Sequence, residues 1–166
     1  MPALCVLRHG IADSSGEDPP LSGEGLLKMQ AEARGMANLG FSFDRIVSSP
    51  LRRAHQTALA VADALAPQVD VEVSRILAPG CSLSRLIALF ATCRTSGALL
   101  LVGHQPDMGG IAAGLAGATT PFQLDRGGLC WIDLDCWPTA GHIDSGPGAT
   151  IRMLLPGGIV AALSSR

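Results

Sequence analysis

Short apolar runs alternate with amphipathic segments through the first 115 residues of the chain. The runs ALCVL at 3–7 and ALLLV at 98–102 are continuous, which is typical of strands buried on both faces of a sheet. Four other segments are predicted to be strands, at 44–48, 69–73, 128–134 and 149–155. Apolar residues at helical spacing predict helices at 51–65, 83–93 and 106–115.

The first helix has the clearest start and stop signals. Ser22 is a typical N-cap residue, and the apolar positions that follow it recur at helical spacing as far as Ala37. Gly40 is suited to end this helix, because glycine commonly follows the last helical turn. Pro50 is expected in the first turn of the next helix, where proline is favoured.

The order of these elements predicts the fold class. Alternating strands and helices are typical of an α/β fold, here a three-layer sandwich with a mainly parallel central sheet flanked by helices. The last two strands have no helix between them, so we expect them to pair as an antiparallel C-terminal extension. No internal repeat or linker divides the sequence, and residues 1–166 are expected to form a single domain.

Composition and charge disfavour several classes of protein. With 48% apolar and 16% charged residues, the chain is not of the disordered type. Its net charge of −2 lacks the basic excess typical of nucleic-acid binding, and no run reaches the ~18 apolar residues of a membrane span. We therefore expect neither a nucleic-acid nor a membrane partner. Five cysteines without paired spacing, and an N-terminus unlike a signal peptide, predict reduced thiols in the cytoplasm.

Basic side chains follow three of the predicted strands. Arg8 and His9 follow the first strand, Arg52 and Arg53 follow the second, and His104 follows the strand at 98–102. Because the carboxyl ends of parallel strands meet at one edge of a sheet, we expect these groups to lie together. Basic groups beside helix N-termini form an anion site, and arginine with backbone N–H groups suits phosphate best.

Four segments, in order, resemble the motifs of the histidine phosphatase (phosphoglycerate mutase-like) superfamily. They are LRHG at 7–10, PLSGEG at 20–25, SPLRRAHQT at 49–57 and VGHQP at 102–106. The C-terminal segment RMLLP at 152–156 is similar to the last strand of that family. The short chain is most similar to the SixA-type phosphohistidine phosphatases, which implies a phosphoglycerate mutase-like fold.

The resemblance implies a phosphatase of the phosphoric monoester hydrolase type that acts through a phosphohistidine intermediate. His9 is the expected nucleophile, and Arg8, Arg53 and His104 are expected to surround the phosphoryl oxygens as three cations. The second ring nitrogen of His9 should donate to a backbone carbonyl and fix the tautomer. The neighbouring positive charge should disfavour protonation of His9. No metal or other cofactor is expected.

Several nearby polar residues have a simpler structural interpretation. Arg52 is adjacent to Arg53 on a predicted helix and is expected to point into solvent. His55 and His142 are expected to be solvated or locally bonded. Ser14 and Ser22, together with Ser49, are further candidate phosphate ligands, although capping or turn formation explains each of them equally well.

One departure from the family pattern bears on the substrate. Many relatives carry an acidic residue after the third strand that protonates the leaving group, but LAPGCS at 77–82 contains no carboxylate. The nearest acid is Glu72, inside the short predicted strand. The departure resembles the SixA branch and disfavours sugar-phosphate mutase activity.

Four functional hypotheses remain open at this point. The first is a protein phosphohistidine phosphatase, whose partner is a phosphorylated protein. The others are a general small-molecule phosphomonoesterase of the same superfamily, a phosphohistidine-binding regulatory module without turnover, and a metal hydrolase using His9, His104 and His142. Phosphatase assays with and without EDTA would discriminate them.

Overall fold

The structure, a computed structural model, describes residues 1–94, 96–142 and 148–165, except for the side chains of His142 and Ser165. The described strands form one sheet in the order β3-β2-β4-β1-β5-β6. They are β1 (Ala3–Arg8), β2 (Arg45–Ser48), β3 (Val71–Val73), β4 (Ala98–Gly103), β5 (Leu129–Leu134) and β6 (Ala149–Leu155). The first four pair in parallel, whereas β5 and β6 are antiparallel, as predicted.

Helices cover both faces of this sheet, which confirms the predicted three-layer α/β fold. They are α1 (Gly23–Asn38), α2 (Arg52–Leu65), α3 (Leu83–Phe90), α4 (Asp107–Leu115) and α5 (Gly157–Ala162), with short 3-10 turns at Arg75–Leu77, Ala140–His142 and Leu163–Ser165. One apolar core lies under α1, α2 and α5, and the other lies under α3 and α4. No helix in the described part of the chain combines the length and the apolar character needed to cross a membrane.

The central strand β1 shows why its sequence is continuously apolar. Cys5 and Leu7 lie in the core under α1 and α2, whereas Leu4 and Val6 point into the core on the opposite face. All four side chains are fully buried. Successive side chains of a strand point to opposite faces, so a strand covered on both faces needs apolar residues at every position.

The start and end of α1 confirm the signals in its sequence. The Ser22 hydroxyl accepts a hydrogen bond from the Gly25 N–H at 2.9 Å and so caps the first turn. The helix ends at Asn38, and Gly40 follows with a φ of +79°, which glycine adopts without steric cost.

The boundaries of two other helices differ from the sequence prediction. Leu51, in an extended conformation, is the N-cap of α2, so Pro50 lies before the helix and its predicted place in the first turn is wrong. α3 ends at Phe90 rather than at residue 93, since the chain continues in a turn. The sequence also gave no indication of α5, a short helix that begins with two glycines.

The pairing of β5 with β1 adds a segment to the carboxyl edge of the sheet. Because the two strands are antiparallel, Leu129 at the start of β5 pairs with Leu7 near the end of β1. The turn before β5 therefore lies beside Arg8. Its Gly127 N–H donates to the carbonyl oxygens of Arg8 (3.1 Å) and His9 (3.2 Å), and its φ of +76° suits glycine.

Candidate active site

The four residues proposed as catalytic lie together at the carboxyl edge of β1, β2 and β4. Arg8 ends β1 and His9 follows it, Arg53 lies in the first turn of α2, and His104 follows β4. The ring centroids of His9 and His104 are 5.2 Å apart, and Arg53 Nε lies 3.2 Å from His9 Nε2. The Arg52 side chain is exposed, which confirms its predicted orientation. Three separate loops thus converge on His9.

Two hydrogen bonds define the tautomer of His9. Its Nδ1 atom lies 2.7 Å from the carbonyl oxygen of Gly10, and a carbonyl only accepts, so Nδ1 carries the proton. The Nε–H of Arg53 donates to Nε2 of the same ring, which therefore presents its lone pair. The predicted bond to a backbone carbonyl is thus present, and Nε2 is the ring nitrogen that carries the lone pair.

Burial and nearby charge keep the His9 ring neutral. Burial is the largest effect and lowers its pKa to about 4, with further lowering by the charges of Arg53, Arg8 and Arg126. The hydrogen bond to Gly10 acts in the opposite direction. At neutral pH the ring is unprotonated at Nε2, so it needs no separate base to become a nucleophile.

His104 differs from the sequence prediction in its charge. Its Nε2 lies 2.8 Å from the hydroxyl oxygen of the fully buried Ser49, within hydrogen-bonding distance. Burial, followed by the influence of His9 and Arg53, lowers the pKa of His104 to about 4. The ligand-free site at neutral pH therefore has two cations, Arg8 and Arg53, rather than the predicted three. His104 acts there as a neutral hydrogen-bonding group.

The two arginines are held in different ways. Arg8 Nη1 donates to the carbonyl oxygen of Leu124 at 2.8 Å, while its buried Nε has no hydrogen-bond partner in the described structure. Burial and the charge of Arg126 lower the pKa of Arg8 from its usual value. Arg53 has its Nη1 atom 3.8 Å from Asp18 Oδ1 and its Nε on His9. Both side chains keep further donors that can hold a phosphoryl group.

The spacing of the 49–57 segment has a structural explanation. Thr57 lies one helical turn after Arg53, and its hydroxyl donates to the Arg53 carbonyl at 2.7 Å. The same hydroxyl accepts from the Gly10 N–H at 3.0 Å, and Gln56 accepts from the Leu21 N–H at 2.7 Å. These bonds fix α2 against the loop that carries His9, so they set the distance between Arg53 and the imidazole.

The three acidic residues considered as possible leaving-group acids have different partners in the structure. Glu72 holds Arg45 through both carboxylate oxygens, at 2.7 and 2.8 Å, and Asp13 is an exposed residue that accepts from the Ser14 N–H. Asp18, by contrast, accepts from the Arg52 N–H at 3.0 Å and faces the Arg53 guanidinium. Of these three acids, Asp18 is the one in contact with the proposed catalytic residues.

The other polar candidates from the sequence are Ser14, Ser22, His55 and His142. Ser14 is exposed, and the Ser22 hydroxyl caps α1, so their assignment to phosphate binding stays a prediction. His55 Nδ1 lies 3.2 Å from the Ser48 hydroxyl, a local contact. The side chain of His142 lies outside the described residues. Among the side chains that are described, no three His, Cys, Asp or Glu groups gather closely enough to hold a metal ion.

Sequence reasoning missed Arg126, which lies in the turn before β5. Its charge lowers the pKa of both Arg8 and His9, so it is close enough to influence the site. The signal that could have indicated it is the pairing of β5 with β1, which places this turn at the carboxyl edge. Ser49, considered only as one of several pocket residues, contacts His104 directly.

Comparison with known proteins agrees with this geometry. The model of the Histidine phosphatase superfamily (branch 1) matches residues 4–77, which include Arg8, His9 and Arg53. An uncharacterized protein of Picosynechococcus sp. is 36% identical over 130 residues, covering 74% of this chain and 78% of that relative.

Solved structures share the fold over nearly the whole chain. The protein histidine phosphatase SixA, complexed with tungstate, has a TM-score of 0.78 at 22% identity and covers 95% of this chain and 99% of its own. A phosphoserine phosphatase from Entamoeba histolytica, in complex with 3-phosphoglyceric acid, has a TM-score of 0.66 at 17% identity, with 93% and 96% covered. The phosphoglycerate mutase-like fold implied by the sequence motifs is therefore confirmed, and the chain belongs to the histidine phosphatase superfamily (branch 1).

Proposed function

We propose that the protein is a phosphatase that transfers a phosphoryl group from its substrate to Nε2 of His9 and then hydrolyses the phosphohistidine. The observation that carries this proposal is the His9 ring, whose unprotonated Nε2 lies 3.2 Å from Arg53 Nε and whose centroid lies 5.2 Å from that of His104. In the proposal, residues 1–166 form one phosphatase domain.

The first step forms one bond and breaks another. The Nε2 lone pair attacks phosphorus while the bond from phosphorus to the leaving group breaks, and the leaving group takes a proton from solvent. The Nδ1–H bond to the Gly10 carbonyl persists and stabilises the positive charge that develops on the phosphorylated ring. Arg8 and Arg53 neutralise the equatorial oxygens, which is the main demand of phosphoryl transfer.

The second step restores the enzyme. Water attacks phosphorus, the P–N bond breaks, and the electron pair of that bond returns to Nε2 of His9. Inorganic phosphate leaves with the proton of the attacking water shared between product and solvent. In the proposal, His104, whose ring centroid lies 5.2 Å from that of His9, hydrogen-bonds a phosphoryl oxygen in both steps. No step requires a metal ion or another cofactor.

The substrate that we propose is a phosphohistidine in another protein. The segment 77–82 has no carboxylate, and the loop there is held by Asp107, whose Oδ2 accepts from the N–H groups of Gly80 (2.7 Å) and Cys81 (3.1 Å). A site without a leaving-group acid suits a P–N bond, because imidazole is a far better leaving group than an alkoxide. The likeness to SixA supports the same substrate class.

A second candidate is a small-molecule phosphomonoesterase. Asp18 beside Arg53 is a carboxylate that could protonate an ester oxygen, and the likeness to a phosphoserine phosphatase fits such a substrate. We also propose that the protein works in the cytoplasm, which is supported by the free thiols of Cys5, Cys81, Cys93 and Cys130.

Direct turnover assays test the proposed substrate. A peptide phosphorylated on histidine and the same sequence phosphorylated on serine are incubated with the protein in EDTA, and phosphate release is followed. We expect the phosphohistidine peptide to be hydrolysed with the higher kcat/KM. A preference for phosphoserine would identify the esterase instead, and tight binding without turnover would identify a binding module. Loss of activity in EDTA, restored by one metal, would favour the metal hydrolase.

Replacing Arg53 with lysine is expected to lower kcat by about 10²–10³-fold, the usual cost of removing one preorganised donor. Lysine keeps the charge but has no planar fork, so it cannot hold two phosphoryl oxygens while reaching His9. The matched control is Arg52→Lys, a substitution of the adjacent, exposed arginine. Arg52 contacts Asp18 through its backbone N–H, which the substitution leaves in place, so this variant should keep its activity. Equal effects of the two substitutions on single-turnover rates would contradict the assigned role of Arg53.

A further inference from the structure

A cleft adjoins the proposed catalytic residues on the side of α1 and α5. It has a volume of about 590 Å³, and Arg8 forms part of its wall. The other polar lining residues are Lys28 and Glu32 from α1, and Asp125 and Arg126 from the turn before β5. We refer to this space, defined by these five residues, as the Arg126 cleft. Because Arg8 is also a proposed phosphate ligand, a substrate whose phosphoryl group contacts Arg8 has the cleft beside it.

The Arg126 cleft is positively charged at neutral pH. Arg8, Lys28 and Arg126 are the three basic residues that line the cleft, and Asp125 and Glu32 are its two acidic residues. Glu32 is only 4% exposed, and burial raises its pKa to about 8 although the nearby Lys28 lowers it. Most Glu32 side chains are therefore protonated at neutral pH and do not cancel the positive charge.

Besides the Arg8 Nε group, Glu32 and Arg126 have polar atoms in the cleft that lack partners in the described structure. Oε2 of Glu32 is buried without a hydrogen-bond partner in the described structure. Arg126 is exposed and forms no ion pair with any described carboxylate. Lys28 differs, since it is paired with Glu24 at 2.6 Å on the surface. Buried polar groups are normally hydrogen-bonded, so the unpartnered Glu32 carboxyl and the unpaired Arg126 guanidinium, which both line the cleft, indicate that it can take a hydrogen-bond acceptor.

We propose that the Arg126 cleft binds a second anionic group of the substrate, a carboxylate, while the phosphoryl group of the same molecule lies against His9. One unpaired cation matches a monoanion, and the Glu32 carboxyl in the same cleft can donate a hydrogen bond. The inference rests on the proposed function for its phosphoryl anchor. In a phosphohistidine protein the carboxylate is an aspartate or glutamate side chain near the phosphohistidine. In a small substrate it is a carboxylate of the phosphorylated molecule itself.

Two matched substrate pairs test this assignment. One pair consists of phosphohistidine peptides that differ only in aspartate against asparagine beside the phosphohistidine. The other pair is 3-carboxyphenyl phosphate and its carboxamide, whose leaving groups are similar. The quantity measured is the ratio of KM for the neutral substrate to KM for the carboxylate substrate. We expect a ratio of about two to five in the unmodified protein, within the range of one solvent-exposed charge pair.

Substitutions then test whether Arg126 is the cause of this KM ratio. Arg126→Gln is expected to bring the ratio close to one, while Arg126→Lys should retain most of it. The control is Arg34→Gln, an exposed arginine of α1 that does not line the cleft, and it should keep the full ratio. A ratio of one in the unmodified protein, or a full ratio in Arg126→Gln, would overturn the inference. If neither peptide is hydrolysed but the aryl pair shows the ratio, the proposed protein substrate fails and the carboxylate site stands.

Discussion

Replacing His9 with alanine is expected to lower kcat by at least ~10⁴-fold, because no neighbouring group can form the covalent bond to phosphorus in its place. Ser49 has its hydroxyl on His104, and the His104 ring centroid is 5.2 Å from that of His9. The Nε2 atom of His104 and the Ser49 hydroxyl are hydrogen-bonded to each other, so we expect neither to take over the attack. The measurement is phosphate release under single-turnover conditions, together with thermal unfolding to show that the variant is folded.

The matched control for this substitution is His55→Ala. His55 is half-buried near the start of α2 and contacts Ser48 rather than the phosphoryl ligands. It should retain activity within a few-fold of the unmodified protein. An alanine variant at position 9 that turned over within ten-fold of the unmodified protein would show that His9 is not the nucleophile.

The rate of phosphoryl transfer is expected to depend steeply on the pKa of the leaving group. General acid catalysis contributes typically ~10²–10⁴-fold, so a site without it should discriminate against alkyl phosphates by about that factor. Aryl phosphates should react faster because phenolates are more stable than alkoxides, and a phosphohistidine peptide should be among the best substrates. Single-turnover rates of an aryl and alkyl phosphate series, plotted against leaving-group pKa, test this expectation.

The variant Asp18→Asn tests whether Asp18 positions Arg53 or protonates the leaving group. Asp18 faces Arg53 at 3.8 Å and accepts from the Arg52 N–H, so we expect it to position Arg53 rather than to protonate the leaving group. The slope should then be the same in both proteins, with all rates of the variant reduced together. A flat plot in the unmodified protein that becomes steep in the variant would identify Asp18 as a general acid. It would also favour phosphate esters over phosphohistidine.

Much of the site was predictable because the ends of the central strands are evident from the sequence. β1 and β4 are continuously apolar, so the basic residues that follow them stand out, and the parallel order of the strands places His9 and His104 at one edge. The capping serine of α1 and the antiparallel pair of β5 and β6 were predictable for similar local reasons. The four motifs, taken in order along the chain, are sufficient to indicate the superfamily.

The parts that were missed depend on contacts between distant segments. The charge of His104 was wrongly predicted because its burial comes from packing against Ser49 and His9, residues far from it in sequence. Arg126 was overlooked because the turn before β5 reaches the site only through the pairing of β5 with β1. α5 has a glycine-rich start and is a single short helix, so helical periodicity had too few residues to show it.

Trapping the phosphorylated protein tests the central claim most directly. The unmodified protein and His9→Ala are mixed with a labelled aryl phosphate, quenched within one turnover at alkaline pH to preserve phosphohistidine, digested and examined by mass spectrometry. We predict one phosphoryl group on the peptide that contains His9, at Nε2, with a yield that rises and decays at the rates of the two steps, and none in the variant. Label on another residue, or turnover that never passes through a labelled protein, would contradict the mechanism.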